Sequence, residues 1–209
     1  FVNVVAGPYV APFGGTRARL GTNPFAAGFP REGSPPLVVD FATSRLAAGK
    51  IKVAFNKGSR LPDGALLDAS GSPTNDPADL YTTPPGTLLP FGEHKGFGLM
   101  LVCELLGAAV VGAPTQSLPE RTDAVINSMF SVIVSPQKLG TAAPFASELE
   151  AVLAWVLSEN DGDADGVLLP GMPELRSREQ RLAEGIPLDL NTIEQLDVAA
   201  RIVGLPGFD

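Results

Sequence analysis

The sequence predicts an α/β fold, because apolar strand-like runs alternate with helical patterns along its 209 residues. Its content of 44% hydrophobic and 18% charged residues can build a real core, in one compact body or in two closely packed lobes. The 20 prolines and 23 glycines fall in short strings, such as residues 33–36 and 84–86. Such strings indicate short elements joined by defined turns.

The first half of the chain is expected to alternate strands and loops before one helix. FVNVV begins as a strand, and APFGGTRARLGTNPFAAGFP is expected to be an irregular, glycine-rich loop that ends at Pro30. PLVVDFATS predicts a short strand with one buried acid, Asp40, after which Ser44 caps a helix that ends at Gly58. Asp-Gly and Ser-Gly pairs within residues 63–71 then predict hairpin turns.

The second half is expected to be mainly helical. The stretch LLPFGEHKGFGLMLVCELLGAAVVG at residues 88–112 places a glycine-rich loop, with His94 and Lys95, before the most apolar run of the chain. Because residues 97–113 are apolar nearly all round, we expect a helix there, buried in an interior or an extensive interface. AVINSMFSVIVSP predicts a strand. Three closing helices are expected at 146–158, 173–183 and 192–203, the last capped by Asn191 or Thr192.

The net charge limits the classes of binding partner, and the cysteine content indicates the cellular compartment. The net charge is −8 and no segment gathers lysine or arginine, which argues against a nucleic acid or an anionic membrane as partner. The apolar run contains Glu104 and is too short to span a bilayer, so we expect a soluble protein. The single cysteine, Cys103, can form no intrachain disulfide. A core position and a reducing, cytoplasmic location are therefore expected.

Several common motifs are missing from the sequence. No G-x-G-x-x-G follows a strand and no P-loop occurs, so a nucleotide would have to bind in another way. DGDADG at residues 161–166 matches half of a calcium loop, but Met172 stands where glutamate is needed, which favours a solvated acidic loop. One histidine and one cysteine argue against zinc, and no G-x-S-x-G elbow occurs. We therefore predict no metal and no catalytic nucleophile.

Two interpretations of the glycine-rich loop stay open at this level. Gly92, Gly96 and Gly98 would let the backbone approach a ligand closely, and the first N–H groups of the following helix carry partial positive charge. Lys95 adds a full charge. Alternatively, the glycines only fit the turn and His94 and Lys95 are exposed loop residues, which the residues alone favour slightly.

Five segments of the chain together resemble one enzyme family. They read RLGTNPFAAGFP, PLVVDFATSRLAAGKI, DASGSPTNDPADLY, LLPFGEHKGFGLMLVCELLGAAVVG and LLPGMPELRSREQRLAEGIPLDLNT. In order and spacing they are similar to the malate/L-lactate dehydrogenase family often called type 2. The Glu-His-Lys-Gly sequence at residues 93–96, the cysteine in the helix after it and INSMFSVIVSP at residues 126–136 look most like its hydroxycarboxylate dehydrogenase branch. The resemblance covers essentially the whole chain.

The resemblance implies a non-Rossmann NAD(P)-binding fold of the L-sulfolactate dehydrogenase-like type, a mixed sheet with packed helices. Residues 1–140 would form the cofactor-binding α/β domain, and residues 141–209 a helical part packed on it. The implied activity is that of an NAD(P)-dependent oxidoreductase that interconverts a 2-hydroxy acid and a 2-oxo acid, as a homodimer. The positions that match the family's cofactor contacts are Asp40, Phe41, Ala42, Thr43, Lys95, Pro170, Gly171 and Met172.

Each implied contact has a chemical rationale and, in places, an alternative. Asp40 at a strand end could accept ribose hydroxyl groups, or it could simply cap a turn. Lys95 could meet phosphate as a point charge. Thr22 and Asn23 could line the same cleft, or they could only shape a turn.

The resemblance also implies that an N-terminal segment of the family is missing before Phe1. The proton-transferring histidine and an arginine for the substrate carboxylate are expected in that segment, and His94 does not match that histidine. A serine expected before residues 10–12 is replaced, with glycine at Gly7 near that place. No catalytic residue is therefore assigned, and the 209-residue chain is expected to be inactive alone. The competing hypothesis is a non-catalytic binding or structural remnant of the fold.

Overall fold

The computed structural model describes residues 2–4, 7–117, 127–159 and 166–207. Over these residues the chain forms a mixed α/β structure of small sheets and several helices, which confirms the predicted class. The strands are β1 (Val2–Val4), β2 (Phe25–Phe29), β3 (Leu37–Phe41), β4 (Leu66–Leu67), β5 (Pro73–Thr74), β6 (Thr87–Leu88) and β7 (Ser128–Phe130). The α-helices are α1 (Ala48–Lys57), α2 (His94–Glu104), α3 (Pro136–Leu139), α4 (Ala142–Leu157), α5 (Met172–Glu184) and α6 (Leu190–Ile202).

The described residues fall into two compact units that are interleaved along the chain. Unit 1 contains residues 25–40 and 131–185. Unit 2 contains residues 2–24, 41–130 and 186–209. Both units take residues from either side of position 140, where the sequence places its boundary, and the functional division at that position stays a prediction.

Unit 2 contains a hydrophobic core between its helices and a small sheet. Strand β4 pairs antiparallel with both β5 and β6, and β1 pairs antiparallel with β7 so that Val2 lies opposite Phe130. A 3₁₀ turn at Pro77–Tyr81 precedes β6. The buried core side chains of this unit are Val10, Leu20, Ile51, Leu61, Leu66, Leu80, Leu88 and Met100.

Unit 1 contains β2 and β3, which are neighbours in one sheet, and the helices α3 to α5. A bidentate ion pair connects the end of β2 to α4, since Arg31 donates from Nε and Nη2 to the two carboxylate oxygens of Glu150, each at 2.7 Å. The hydrogen bonds from Arg31 hold the pKa of Glu150 below its usual range.

The expectation that the whole segment before Pro30 is an irregular loop is wrong, because part of it forms strand β2. Phe25–Phe29 form a five-residue strand next to β3. The sequence FAAGF contains two alanines and a glycine, which are depleted in strands, so local propensity gave no signal. Pairing with β3, which lies further along the chain, decides its conformation.

Helix α1 begins later than the sequence predicts. It starts at Ala48 and has Ala47 as its N-cap, while the Ser44 hydroxyl donates 2.6 Å to the Leu46 carbonyl oxygen and caps no helix. The predicted end is confirmed, since Gly58 takes a left-handed conformation with φ 64° and closes the last turn.

Within this chain helix α2 is buried on one face only, so it is not hidden all round in the interior, and burial of its other face in an interface stays a prediction. Gly96, Met100 and Cys103 are buried, whereas Leu101 and Val102 are exposed. A π-helical turn at Leu105–Ala109 continues the helix. Within the described part of the chain, no helix combines the length and hydropathy that a bilayer crossing needs.

The last third of the described chain follows the predicted order with shifted ends. The predicted strand is only the three residues of β7, and residues 132–134 lie outside any strand, while residues 124–126 lie outside the described residues. Helices α4, α5 and α6 confirm the three closing helices, and the short α3 is additional. The N-cap of α6 is Asp189, not Asn191 or Thr192.

The Asp189 cap predicts a specific dependence of stability on pH. Asp189 accepts hydrogen bonds from the backbone N–H and the hydroxyl of Thr192, both at 2.8 Å, and these bonds lower its pKa below the ordinary 3.8. Because the folded pKa is depressed, this contribution to stability is present above pH 3.8 and is lost as the pH falls through the folded value. Asp189→Asn keeps a capping side chain that does not titrate.

We therefore expect the melting temperatures of the wild type and of Asp189→Asn to converge as the pH falls from about 5 to about 2. Differential scanning calorimetry across that range measures the difference between the two proteins, so that other titrating carboxylates cancel. A difference that stays constant with pH would show that the Asp189 charge contributes nothing to the cap.

Candidate functional site

A groove in unit 2 carries several basic side chains. It has a volume of about 980 Å³, and its walls include Arg45, His94 and Lys95, with Glu93 as an acid among them. All four side chains are exposed. The ring of His94 packs edge-on against Phe13, with 6.0 Å between the ring centroids. The groove therefore offers a predominantly positive surface to a ligand.

The part of the groove lined by residues 91–95 depends on a close contact at the start of α2. Gly92 has φ 50° and Glu93 has φ 56°, a conformation that is strained for the non-glycine residue. A Cβ atom added at Gly96 would collide with the carbonyl oxygen of Phe91, whereas one added at Gly98 would meet nothing within 4 Å. Gly96 is thus required by packing and Gly92 by the turn, which supports a structural role for these two glycines whether or not a ligand binds.

Buried hydrogen bonds of Thr43 hold the predicted cofactor turn in place. It is fully buried, and its backbone N–H donates 2.9 Å to the Thr22 carbonyl oxygen. Its hydroxyl lies 3.0 Å from the Thr22 carbonyl oxygen and 2.9 Å from that of Asn23. A buried hydroxyl needs such partners, so this threonine anchors the turn instead of facing solvent.

The turn is joined to the groove by backbone hydrogen bonds. The N–H of Phe91 donates 3.1 Å to the Thr43 carbonyl oxygen, and the N–H of Arg45 donates 2.8 Å to the Leu89 carbonyl oxygen. The rings of Phe41 and Phe91 pack edge to face, with centroids 5.4 Å apart. Two elements that the sequence keeps far apart are therefore brought together, namely the turn at residues 41–43 and the segment that leads into Lys95.

A buried polar pair lies behind the turn. The side-chain nitrogen of Asn23 donates 2.8 Å to Glu104 Oε2 and 3.2 Å to the Met100 carbonyl oxygen. The second carboxylate oxygen of Glu104 accepts from the backbone N–H of Gln116 at 2.5 Å. Asn23 is fully buried. Of the two interpretations of Asn23, the structure favours the one in which it shapes the turn.

The remaining predicted cofactor residues lie in unit 1. Asp40 is exposed on β3, which corrects the expectation that it is buried, because the alternation along β3 points it outward. The turn at residues 170–172 leads into α5, with Gly171 at φ 90° as its N-cap. A Cβ atom on Gly171 would lie 3.9 Å from the Val38 carbonyl oxygen. This turn therefore lies beside the strand that carries Asp40.

Two residues of the site were missed at the level of sequence. Arg45 lines the groove, and its position directly after the Asp-Phe-Ala-Thr-Ser turn was the available signal. Glu104 is 4% exposed, and a lone acid within an apolar run should have predicted a buried polar partner.

The described residues contain no arrangement of side chains that indicates a metal site. Among them no group of three or more histidine, cysteine, aspartate and glutamate side chains is arranged to hold a metal ion. The calcium-like stretch at residues 161–165 lies outside the described residues, so that prediction stays untested.

Cys103 is expected to be unreactive in the folded protein. It is fully buried in α2, and burial raises the pKa of its thiol to about 11. The thiolate would then be roughly one part in a thousand at pH 8, so iodoacetamide should modify the native protein very slowly and the urea-unfolded protein rapidly. Mass spectrometry of timed samples measures both rates. Equal rates would show that the thiol is accessible and not a core residue.

Comparison with known proteins identifies the family of this α/β chain. The family model described as malate/L-lactate dehydrogenase matches residues 1–197, so the chain belongs to the malate/L-lactate dehydrogenase family. Hydroxycarboxylate dehydrogenase B of Escherichia coli is 43% identical over 209 residues, which are 99% of this chain and 58% of that protein. L-sulfolactate dehydrogenase of Methanothermobacter thermautotrophicus is 35% identical over 198 residues, 93% of this chain and 55% of that protein.

Solved structures agree with this assignment. A structure from E. coli matches with a TM-score of 0.90 and 41% identity over 99% of this chain and 58% of its own. Sulfolactate dehydrogenase from Methanocaldococcus jannaschii matches with a TM-score of 0.70 and 30% identity, over 98% of this chain and 59% of its own. The resemblance inferred from the sequence motifs is confirmed, and the chain spans less than two thirds of the length of these relatives.

Proposed function

We propose that the complete protein is an NAD(P)-dependent oxidoreductase that interconverts a 2-hydroxy acid and a 2-oxo acid, and that this chain binds the cofactor. Family membership and relatives named hydroxycarboxylate, L-lactate and L-sulfolactate dehydrogenase support the class of reaction. The observation that carries the proposal is the hydrogen bond from Phe91 N–H to the Thr43 carbonyl oxygen, which joins the predicted cofactor turn to the basic groove.

The groove suits the anionic part of a dinucleotide. Arg45 and Lys95 supply a guanidinium and an ammonium group to its walls, and both are common partners of phosphate oxygens. The first N–H groups of α2 add partial positive charge at the same end. We assign the phosphate contacts to Lys95 and Arg45, and the backbone contacts to Phe41, Ala42 and Thr43.

Further cofactor contacts are proposed in unit 1. Asp40 is exposed at the end of β3, and a carboxylate in that position can accept ribose hydroxyl groups. The turn formed by Pro170, Gly171 and Met172 has its glycine in a left-handed conformation, which lets the backbone approach a ligand closely.

The chemistry of the proposed reaction divides between cofactor and protein. Hydride exchange with the substrate carbon is what a nicotinamide ring supplies when bound. The residues of this chain bind and orient: Lys95 and Arg45 neutralise phosphate charge, and the buried Thr43 fixes the turn. We further propose a non-Rossmann mode of binding, supported by the absence of G-x-G-x-x-G from the sequence.

The proposal is tested with the natural full-length protein. Fluorescence titration with NADH and NADPH should give saturable binding, and absorbance at the nicotinamide band should fall when 2-oxo acids are added to the better-bound cofactor. Turnover with simple ketones that lack the carboxylate should be much slower. Saturable binding with no turnover on any 2-oxo acid would favour the competing non-catalytic hypothesis, and the absence of binding would contradict the proposal itself.

We also propose that the complete protein is a homodimer. Large apolar side chains are exposed in each unit, including Ile133 at 95% and Trp155 at 74% in unit 1 and Ile202 at 80% in unit 2. Apolar surface of this kind commonly marks a protein interface. Light scattering coupled to size exclusion of the full-length protein tests the proposal, and a monomeric mass at micromolar concentration would contradict it.

A further inference from the structure

We propose that Asn23 and Glu104 form a buried positioning pair that sets cofactor affinity by holding the Thr43 turn, without touching the cofactor. This inference rests on the proposed function, since it assumes that the turn binds NAD(P). Asn23 is fully buried and Glu104 is 4% exposed, so neither side chain faces the groove. Their effect on a bound ligand must pass through another residue.

The orientation of the Asn23 amide is fixed by its partners. Its nitrogen donates to Glu104 Oε2 at 2.8 Å and to the Met100 carbonyl oxygen at 3.2 Å, so each amide hydrogen has an acceptor. A flipped amide would place its oxygen against two acceptors. The backbone of Asn23 has φ 30°, an uncommon conformation for a residue other than glycine. The side-chain bonds to α2 hold the residue in this conformation.

The backbone of Asn23 transmits this restraint to the cofactor turn. Its carbonyl oxygen accepts the Thr43 hydroxyl at 2.9 Å, and the neighbouring Thr22 carbonyl oxygen accepts the Thr43 N–H at 2.9 Å. The Thr43 carbonyl oxygen then accepts from the N–H of Phe91 in the groove. A shift of Asn23 therefore moves Thr43 and, through it, the segment that leads to Lys95.

A carboxylate at position 104 can accept hydrogen bonds with both of its oxygens, whereas an amide has only one oxygen that accepts. Its two oxygens accept from two separate donors, the Asn23 side chain and the Gln116 backbone N–H. A glutamine of the same shape would turn its own N–H₂ group toward one of these donors. One of the two donors would then lose its acceptor.

The pair can be tested by exchanging its donor and acceptor. Asn23→Asp keeps the shape but sets a second carboxylate against Glu104, so we expect the Kd for NAD(P)H to rise about tenfold or more. Glu104→Gln should raise the Kd by a smaller factor, roughly half of that expected for Asn23→Asp. The double variant restores one donor–acceptor contact, from Gln at position 104 to Asp at position 23, so its Kd should lie below that of Asn23→Asp.

A matched control separates positioning from general loss of stability. Ile51→Val weakens the same core, but Ile51 makes no hydrogen bond to the turn through its side chain. All titrations are run at temperatures where circular dichroism shows each protein folded. In the absence of cofactor, hydrogen exchange at the Thr43 and Phe91 amides should quicken in Asn23→Asp and in Glu104→Gln, but not in Ile51→Val.

The outcomes distinguish this inference from the function on which it rests. If Asn23→Asp and Glu104→Gln change the Kd no more than Ile51→Val, or if the double variant shows no recovery, the positioning role is overturned while the cofactor site stands. If Asn23→Asp does not fold, Glu104→Gln and the exchange measurement decide alone. A wild-type protein that binds neither NADH nor NADPH overturns the proposed function and this inference with it.

Discussion

Replacement of Lys95 with alanine is expected to weaken NAD(P)H binding by about 1–3 kcal/mol, which is roughly a 5- to 150-fold increase in Kd. Lys95 lies on the wall of the basic groove at the start of α2, where its ammonium group can meet phosphate. Fluorescence titration measures the change. Because the lysine is exposed, its loss should leave the melting temperature almost unchanged.

Lys50→Ala is the matched control for this prediction. Lys50 is an exposed lysine of α1 in the same unit and is not among the residues that line the groove, so the variant removes the same charge elsewhere. Its Kd should stay near that of the wild type, apart from a small long-range effect that salt screens. Equal affinities for wild type and Lys95→Ala, or equal losses in both variants, would contradict the role of Lys95.

Gly96→Ala is expected to destabilise the protein by about 1–3 kcal/mol, the usual cost of overpacking, because the new methyl group would collide with the carbonyl oxygen of Phe91. The new Cβ atom has no rotamer of its own and meets the backbone carbonyl group of Phe91, so no side-chain rotation can relieve the collision. To make room, the first turn of α2 must move away from Phe91, which lines the groove. We therefore expect weaker cofactor binding in addition to lower stability.

Gly98→Ala in the same helix is expected to have the opposite effect on stability. Gly98 is exposed, and an added Cβ atom would meet nothing within 4 Å, so the substitution should stabilise α2 by about 0.5–1 kcal/mol through helix propensity. Urea unfolding of both variants measures the two free energies. Effects of the same sign would show that the close approach of α2 to Phe91 is not a constraint of the fold.

Local signals in the sequence were sufficient for elements whose ends depend on their own residues. Gly58 ends α1 because a left-handed residue is needed there, and the apolar patterns of α4 and α6 predicted those helices within a few residues. Strand β2 could not be predicted, since its conformation depends on pairing with β3. The cap of α6 was misplaced because both Asn191 and Thr192 are good caps in isolation, whereas Asp189 makes the bonds.

In the candidate site, too, local sequence motifs predicted single residues, whereas contacts between residues far apart in sequence could not be predicted. The family motifs named Thr43 and Lys95, but only the fold shows that the turn and the groove share backbone hydrogen bonds. The pairing of Asn23 with Glu104 spans 81 positions of sequence and has no local pattern. Burial of Glu104 required some buried donor, but the sequence offered many candidates for that donor. The exposure of Asp40 likewise follows from which face of β3 packs inward.

Hydrogen exchange with and without NADH or NADPH tests the central claim most directly. If the Thr43 turn and the Lys95 groove bind the cofactor, amides at residues 41–45 and 89–97 should exchange more slowly in the presence of saturating cofactor. Amides of α6 in the same unit should stay unchanged and serve as the internal reference. Saturable binding that leaves residues 41–45 and 89–97 unprotected would place the cofactor elsewhere and contradict the account.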